Sequence, residues 1–253
     1  MEPLALFFLS TAGFAAGLID SIAGGGGLVS LPALLAAGLP PQVALGTNKF
    51  QSMCGTAFAL ANFHRKGKVL WVVAAAGIPA ALVGSAAGAR LALILPPDLL
   101  GRALVLLLPP AAAAVLFSRT MMRGGRPLRG RGIRFWTATI ISCSAVGVYD
   151  GFFGPGTGTF FIIALVAISR IPLINATATA KTFNLATNAG ALAIFVIAGS
   201  VDFAVAAVMA ASNVAGNLVG SHYALKHGAP LIRKILLVSL SLLFGYLVWK
   251  YYL

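Results

Sequence analysis

Residues 17–32 read Gly-Leu-Ile-Asp-Ser-Ile-Ala-Gly-Gly-Gly-Gly-Leu-Val-Ser-Leu-Pro. One carboxylate and four consecutive glycines interrupt a chain that is otherwise apolar on both sides. Across the 253 residues, 59% are hydrophobic and 9% are charged, and the mean hydropathy is +0.96. A water-soluble domain carries about 25% charged residues, so this chain cannot coat itself for water. Apolar stretches recur from end to end, several near the ~20 residues a helix needs to cross a bilayer. The fold class read from these features is all-α, a polytopic transmembrane helical bundle. Within it, Asp20 and the glycines at 24–27 are the anomaly.

The net charge of +13 raises nucleic acid as a partner, but the positions of the charges argue against it. Arg119, Arg123, Arg126, Arg129, Arg131 and Arg134 fall in one polar stretch, and Arg65, Lys66 and Lys68 in another. Basic loops between apolar spans follow the positive-inside rule. Cys54 and Cys143 lie in apolar segments and read as small hydrophobes. His64, His222 and His227 lack ligand spacing, so no metal is expected. The apolar N-terminus has no basic leader region and reads as part of the fold.

The chain is written twice. Gly17-Leu-Ile-Asp20 is echoed by Gly147-Val-Tyr-Asp150, and glycine-rich sequence follows each: Gly24 to Gly27, then Gly154-Pro-Gly-Thr-Gly158. Beyond this point one offset aligns Ala44 with Ala176, Thr47 with Thr179, Lys49 with Lys181, Gly84 with Gly216 and Gly88 with Gly220. The halves are 1–118 and 135–253, joined by a basic linker at 119–134. Each reads as five segments: 4–23, 28–39, 44–63, 69–94 and 99–118, then 135–153, 157–170, 173–198, 202–222 and 233–250. The second segment of each half is short, a full span, a half-helix or a re-entrant piece, which leaves eight to ten helical segments in all. Loops 64–68 and 119–134 are basic and expected in the cytoplasm. The counterpart of 64–68, at 196–201, has no Lys or Arg and is expected outside. Matching loops on opposite sides describe an inverted-topology repeat, with both termini outside.

Few charges survive inside the apolar segments: Asp20, Lys49, Asp150 and Lys181. Each costs about 2.5–3.5 kcal/mol at a helix centre on insertion scales. Small polar residues accompany the lysines. They are Thr47, Asn48, Gln51 and Ser52 in one half, where Asn48 and Ser52 share a helix face with Gln51 beside them, and Thr179, Thr182, Asn184 and Asn188 in the other, where Thr177, Lys181, Asn184 and Asn188 make a comparable stripe. Such stripes face protein or water, never lipid. Glycines permit unwound backbone at membrane depth, which occurs where it lines a cavity or is buried in protein. A helix that starts there presents free N–H groups and a positive potential suited to an anion. Broken helices at corresponding places in two repeats point to a transporter site. Its expected members are Lys49 and Lys181 for charge; Thr47, Asn48, Gln51, Thr179, Asn184 and Asn188 for hydrogen bonds; and Gly25, Gly26, Gly156 and Gly158 for backbone amides. Asp20 and Asp150 are candidates for proton coupling or for ion pairs.

Blander readings stand beside these. The glycines can serve close helix packing. Lys49 can simply neutralise Asp20, and Lys181 can neutralise Asp150. No Gly-Lys-Ser/Thr follows the 154–158 loop, so it is not a nucleotide site. The alternative functions are a permease for some other small anion, a non-transporting membrane scaffold subunit and an intramembrane enzyme using Asp20 and Asp150. The lysines and glycines fit the enzyme less well, and no enzymatic activity is expected.

The stretches GLIDSIAGGGGLVSLPALLAAGL, ALGTNKFQ at 44–51, YDGFFGPGTGTFF and ATATAKTFN at 176–184 resemble the sulfite exporter TauE/SafE family of membrane permeases. The resemblance covers essentially the whole chain. It implies a multi-pass inner-membrane secondary transporter that exports sulfite or an organosulfonate such as sulfoacetate, with the glycine motifs and residues 47–49 and 179–181 carried over. Ala180 stands where Asn48 has its counterpart, so the two halves of any site differ. The expected partners are a small anionic substrate, the lipid bilayer and, as an option, further copies of the chain in a homo-oligomer. Neither nucleic acid nor a cofactor is expected.

Overall fold

The computed structural model describes residues 3–121, 132–167 and 171–226. Among these the chain is helical: α1 Pro3–Ala23, α2 Gly27–Ala36, α3 Pro41–Arg65, α4 Trp71–Ile94, α5 Pro97–Met121, α6 Ile133–Phe152, α7 Thr157–Ala167, α8 Leu173–Ile197 and α9 Phe203–Lys226. The tenth apolar segment, 233–250, most of the basic linker and His227 lie outside the described residues.

Local sequence accounts for the boundaries. Pro41 opens α3 at a position where a missing N–H costs nothing. α3 and α8 both close with a left-handed glycine, Gly67 at φ +63° and Gly199 at φ +65°. After each, a backbone N–H reaches back: Lys68 to the Phe63 carbonyl at 3.1 Å and Ser200 to the Phe195 carbonyl at 2.8 Å. These bonds satisfy carbonyls that a helix end leaves orphaned. Among the described residues, four helices are both long and apolar enough to cross a membrane: Leu4–Ala23, Trp71–Ile94, Leu173–Ile197 and Phe203–Ala224. α3 has 25 residues but carries the polar stripe. α2 and α7 have 10 and 11 residues. At 1.5 Å per residue they reach about half of a ~30 Å hydrocarbon core. That length is short of a full span and fits a half-helix or a re-entrant piece.

The helices interleave. α1 packs most extensively on α9, and α4 on α6, so the first helix of each half lies on the fourth helix of the other. α1 and α9 run the same way, with Gly13 beside Met209 and Gly17 beside Asn213. α4 and α6 do likewise, with Gly84 beside Ser144 and Gly88 beside Val148. α3 and α8 run oppositely. Thr47, near the start of α3, accepts the N–H of Asp202 just past the end of α8 at 3.0 Å. Thr179, near the start of α8, accepts the N–H of Leu70 just past the end of α3 at 3.1 Å.

Glycine makes these seams. A Cβ on Gly17, Gly216 or Gly88 would overlap the backbone carbonyl oxygen of Asn213, Phe14 or Val148 respectively. Small residues at four-residue spacing are the means by which membrane helices approach closely when lipid is as apolar as the side chains. Large apolar side chains face outward instead, among them Phe7, Ile94, Leu106 and Ile133, each more than two-thirds exposed. That surface suits acyl chains.

The seam yields a prediction. Gly17→Val and Gly88→Val force backbone apart and should each cost about 1–3 kcal/mol or more, seen as lost monodisperse protein and a lower Tm in detergent. Gly132→Ala, at a position with open space around it, should leave both unchanged.

Candidate functional site

Asp20 lies in the last turn of α1, and the chain unwinds at Gly24, φ +77°, before α2 begins. Asp150 lies in the last turns of α6, and the chain unwinds through Gly154 and Gly156, at φ +93° and +83°, before α7 begins. The two breaks press on one another. A Cβ on Gly24 would collide with the Gly158 backbone, one on Gly158 with Gly24, and Gly27 lies against Pro155. Thr159 Oγ1 donates to the Ala23 carbonyl at 2.5 Å, tying one break to the other.

The lysines cross between the halves. Lys49 Nζ sits 2.8 Å from Asp150 Oδ1 and donates to the Asp150 carbonyl at 2.5 Å. Lys181 Nζ sits 2.7 Å from Asp20 Oδ2 and donates to the Asp20 carbonyl at 2.5 Å. The reading that Lys49 neutralises Asp20 and Lys181 neutralises Asp150 is therefore corrected: each lysine takes the aspartate of the other half. The reason is the nesting of the two glycine breaks, which carries each helix end across the interface. Both lysines are at most 2% exposed. Each ammonium also sits at a helix C-terminus, where the carbonyl ends favour a cation.

Between the pairs lies a cavity of about 20 Å³. α1 to α3 contribute Asp20, Gly24, Gly27, Asn48, Lys49 and Ser52; α6 to α8 and their connections contribute Asp150, Gly154, Thr157, Gly158, Asn184 and Asn188. The N-termini of α2 and α7 open onto it through Gly27 and Thr157. Of the residues expected from sequence, it unites Asn48, Lys49, Asn184, Asn188, Gly158, Asp20 and Asp150. Lys181 stands outside the lining, engaged with Asp20. Thr47 and Thr179 accept backbone N–H groups of the opposite half. Gln51 Nε2 donates to Asn48 Oδ1 at 2.8 Å, and Ser30 Oγ donates to the same oxygen at 2.6 Å. Gly25 and Gly156 supply carbonyls to the first bonds of α2 and α7, and Gly26 packs on Ala16 and Asp20. Sequence reasoning did not place Gly24, Gly27, Ser52, Gly154 or Thr157 in the site. Ser52 was within reach, four residues after Asn48 on one helix face.

A helical membrane bundle folded around paired charges and two helix N-termini is built as a membrane transporter. The sequence matches the family model described as sulfite exporter TauE/SafE over residues 9–247, and the chain belongs to that family. A probable membrane transporter protein, ORF9, of Sinorhizobium sp is 40% identical over 94% of this chain and 90% of its own length. The probable membrane transporter protein YfcA of Escherichia coli K12 is 37% identical over 94% and 87%. A probable membrane transporter protein of Haemophilus influenzae is 34% identical over 92% and 90%. No solved structure matches the chain.

Buried pairs make a sharp prediction. Lys181→Met strands the Asp20 charge and should cost about 3–5 kcal/mol, read as a fall in Tm. Lys181→Met with Asp20→Asn should recover most of that loss. Equal losses in the single and double variants would show that the pair does not set stability.

Proposed function

We propose that this protein is a multi-pass secondary transporter of the cytoplasmic membrane that exports a small sulfur oxyanion, sulfite or a sulfonate such as sulfoacetate, with proton or ion coupling. The observation carrying this reading is a buried cavity that combines the Lys49 ammonium, the amides of Asn48, Asn184 and Asn188, and the N-termini of two half-helices. Helix N-termini and an ammonium are what a tetrahedral or pyramidal oxyanion needs in place of water. The family description supplies sulfite as cargo; the relatives' names give transport without a substrate.

The two halves act as inverted repeats in this reading. The opposed run of α3 and α8 and the exchanged threonine bonds support it. The loop at 64–68 then faces the cytoplasm and that at 198–202 the outside. A cavity of about 20 Å³ admits about one water, so the arrangement described is closed to an oxyanion. The anion enters as the breaks part, and it competes with Asp150 for Lys49.

Purified protein in proteoliposomes loaded with sulfite, sulfoacetate, nitrate or sulfate should release sulfite or sulfoacetate faster than protein-free vesicles. Lys49→Ala should slow this by about tenfold or more, the worth of a charge-assisted hydrogen bond. Full flux in Lys49→Ala would remove that lysine from the site, and selective release of nitrate would reassign the cargo. Thiol labelling of single cysteines at Lys66 and Ser200 in intact cells should reach position 200 alone.

A further inference from the structure

The two carboxylates occupy corresponding places in the two halves, yet their surroundings differ. Asp20 Oδ2 accepts from Lys181 and from Thr56 Oγ1. Asp150 Oδ1 takes Lys49, while Asp150 Oδ2 is buried and has no hydrogen-bond partner among the described residues. Asp150 is 2% exposed. Lys49 and Asp150 both line the cavity, whereas Lys181 does not. Asp20 lines the cavity as well, but its ammonium partner does not, so only the Lys49–Asp150 pair presents both of its charges to an incoming ligand.

We infer that Asp150 is the proton carrier of this transporter: an anion that takes Lys49 from Asp150 brings one proton with it, which binds Asp150 Oδ2. This rests on the anion-transport reading above. The argument is one of charge. With the site empty, Lys49 and Asp150 cancel. An anion alone on Lys49 would leave Asp150 as a buried carboxylate without a counter-charge, the costliest arrangement such a site can adopt. A proton on Oδ2 restores neutrality and gives that oxygen a hydrogen to donate to the anion beside it. Empty and fully loaded sites then carry the same net charge, so either can change its side of the membrane without dragging charge through a low dielectric.

Among the described residues no other group takes over this role. The charged residues facing Asp150 are Lys49 on α3 and, across the cavity, Asp20 on α1 with its partner Lys181 on α8. α2 and α7 contain no titratable residue. On α4 the one charged residue is Arg90, which is exposed. Tyr149, adjacent on α6, donates its hydroxyl to the Pro155 carbonyl at 2.7 Å. The Lys181–Asp20 pair holds the end of α1 to α8, with Lys181 outside the cavity lining.

Two consequences follow. A monovalent anion crosses without net charge, so its flux responds to a pH gradient and not to membrane potential. Direction is set by the sum of the anion and proton gradients, and a high internal anion concentration drives it outward.

The first test needs no cargo. In full-length Lys49→Met, Asp150 has lost its counter-charge, and the inference places a proton on it instead. Infrared spectroscopy of the purified protein should show a carboxylic-acid carbonyl band that is absent from the wild type and from Lys49→Met/Asp150→Asn. No such band at pH 7 overturns the inference. The second test uses methanesulfonate, which has no proton of its own near neutrality, with a pH dye inside the vesicles. Wild type should carry protons with methanesulfonate at a rate unaffected by a valinomycin-set potential. Asp150→Asn should lose the proton movement, and Asp98→Asn, at an exposed carboxylate outside the site, should keep it. Methanesulfonate flux in the wild type without proton movement also overturns the inference. If neither methanesulfonate nor sulfite moves while the infrared band is present, the cargo reading falls and the assignment of Asp150 stands.

Discussion

Two ammonium groups held out of water, each by the carboxylate and carbonyl of a helix end in the opposite half, are the constraint around which this molecule is arranged. Neither lysine is tolerable at this depth alone. Each needs an anion within about 3 Å and a second acceptor, and both come from the terminal turns of α1 and α6. Those turns can meet the lysines because the chain unwinds directly after them. The breaks can nest because Gly24 and Gly158 bring backbone against backbone. Remove the crossed pairs and nothing apolar replaces them, since every surface nearby is glycine, small or polar.

The correspondence between halves extends well beyond the charges, and its failures are informative. Thr47 with Asp202 repeats Thr179 with Leu70. Gly216 against Phe14 repeats Gly84 against Ser144. The inner faces of the fourth helices, however, diverge. α9 offers Asn213, Asn217 and Ser221, with Asn213 bonded to the Gly13 carbonyl and Ser221 to Asn62. The equivalent positions on α4 are Ala81, Ser85 and Ala89. One seam is thus laced with hydrogen bonds and the other is largely packed contact.

Much of this was legible in the sequence. The paired aspartates, paired lysines and glycine runs stood out because charge and backbone freedom are expensive in an apolar chain, whatever the fold around them. The correspondence between the halves is readable from register alone. The pairing did not follow, because spacing tells which residues share a helix face and says nothing of which helix that face meets. Soluble helices reveal their neighbours through amphipathicity; here apolar residues cover the lipid face and the packed face alike. Thr47 and Thr179 show the consequence. As polar residues beside lysines they read as ligands for an anion, yet their hydroxyls accept backbone N–H groups at chain entries that only the folded arrangement brings near. Gln51 likewise reads as a donor to cargo and instead steadies Asn48.

The four glycines at 24–27 can now be separated by task. Gly24 takes a left-handed turn and lies on Gly158, so it is bound by both conformation and space. The Gly25 carbonyl accepts the first bond of α2, from Leu28. Gly26 sits where a Cβ would meet the Ala16 carbonyl and the Asp20 side chain. Gly27 faces Pro155 and opens onto the cavity. A run that looks like a flexible spacer is therefore a set of distinct contacts with almost no slack. Its lack of side chains brings a carboxylate, an ammonium from the far half and a helix N-terminus onto one small pocket. A single alanine at 24 would strain the turn and push the two breaks apart. It would thereby loosen both ion pairs, although it touches neither lysine.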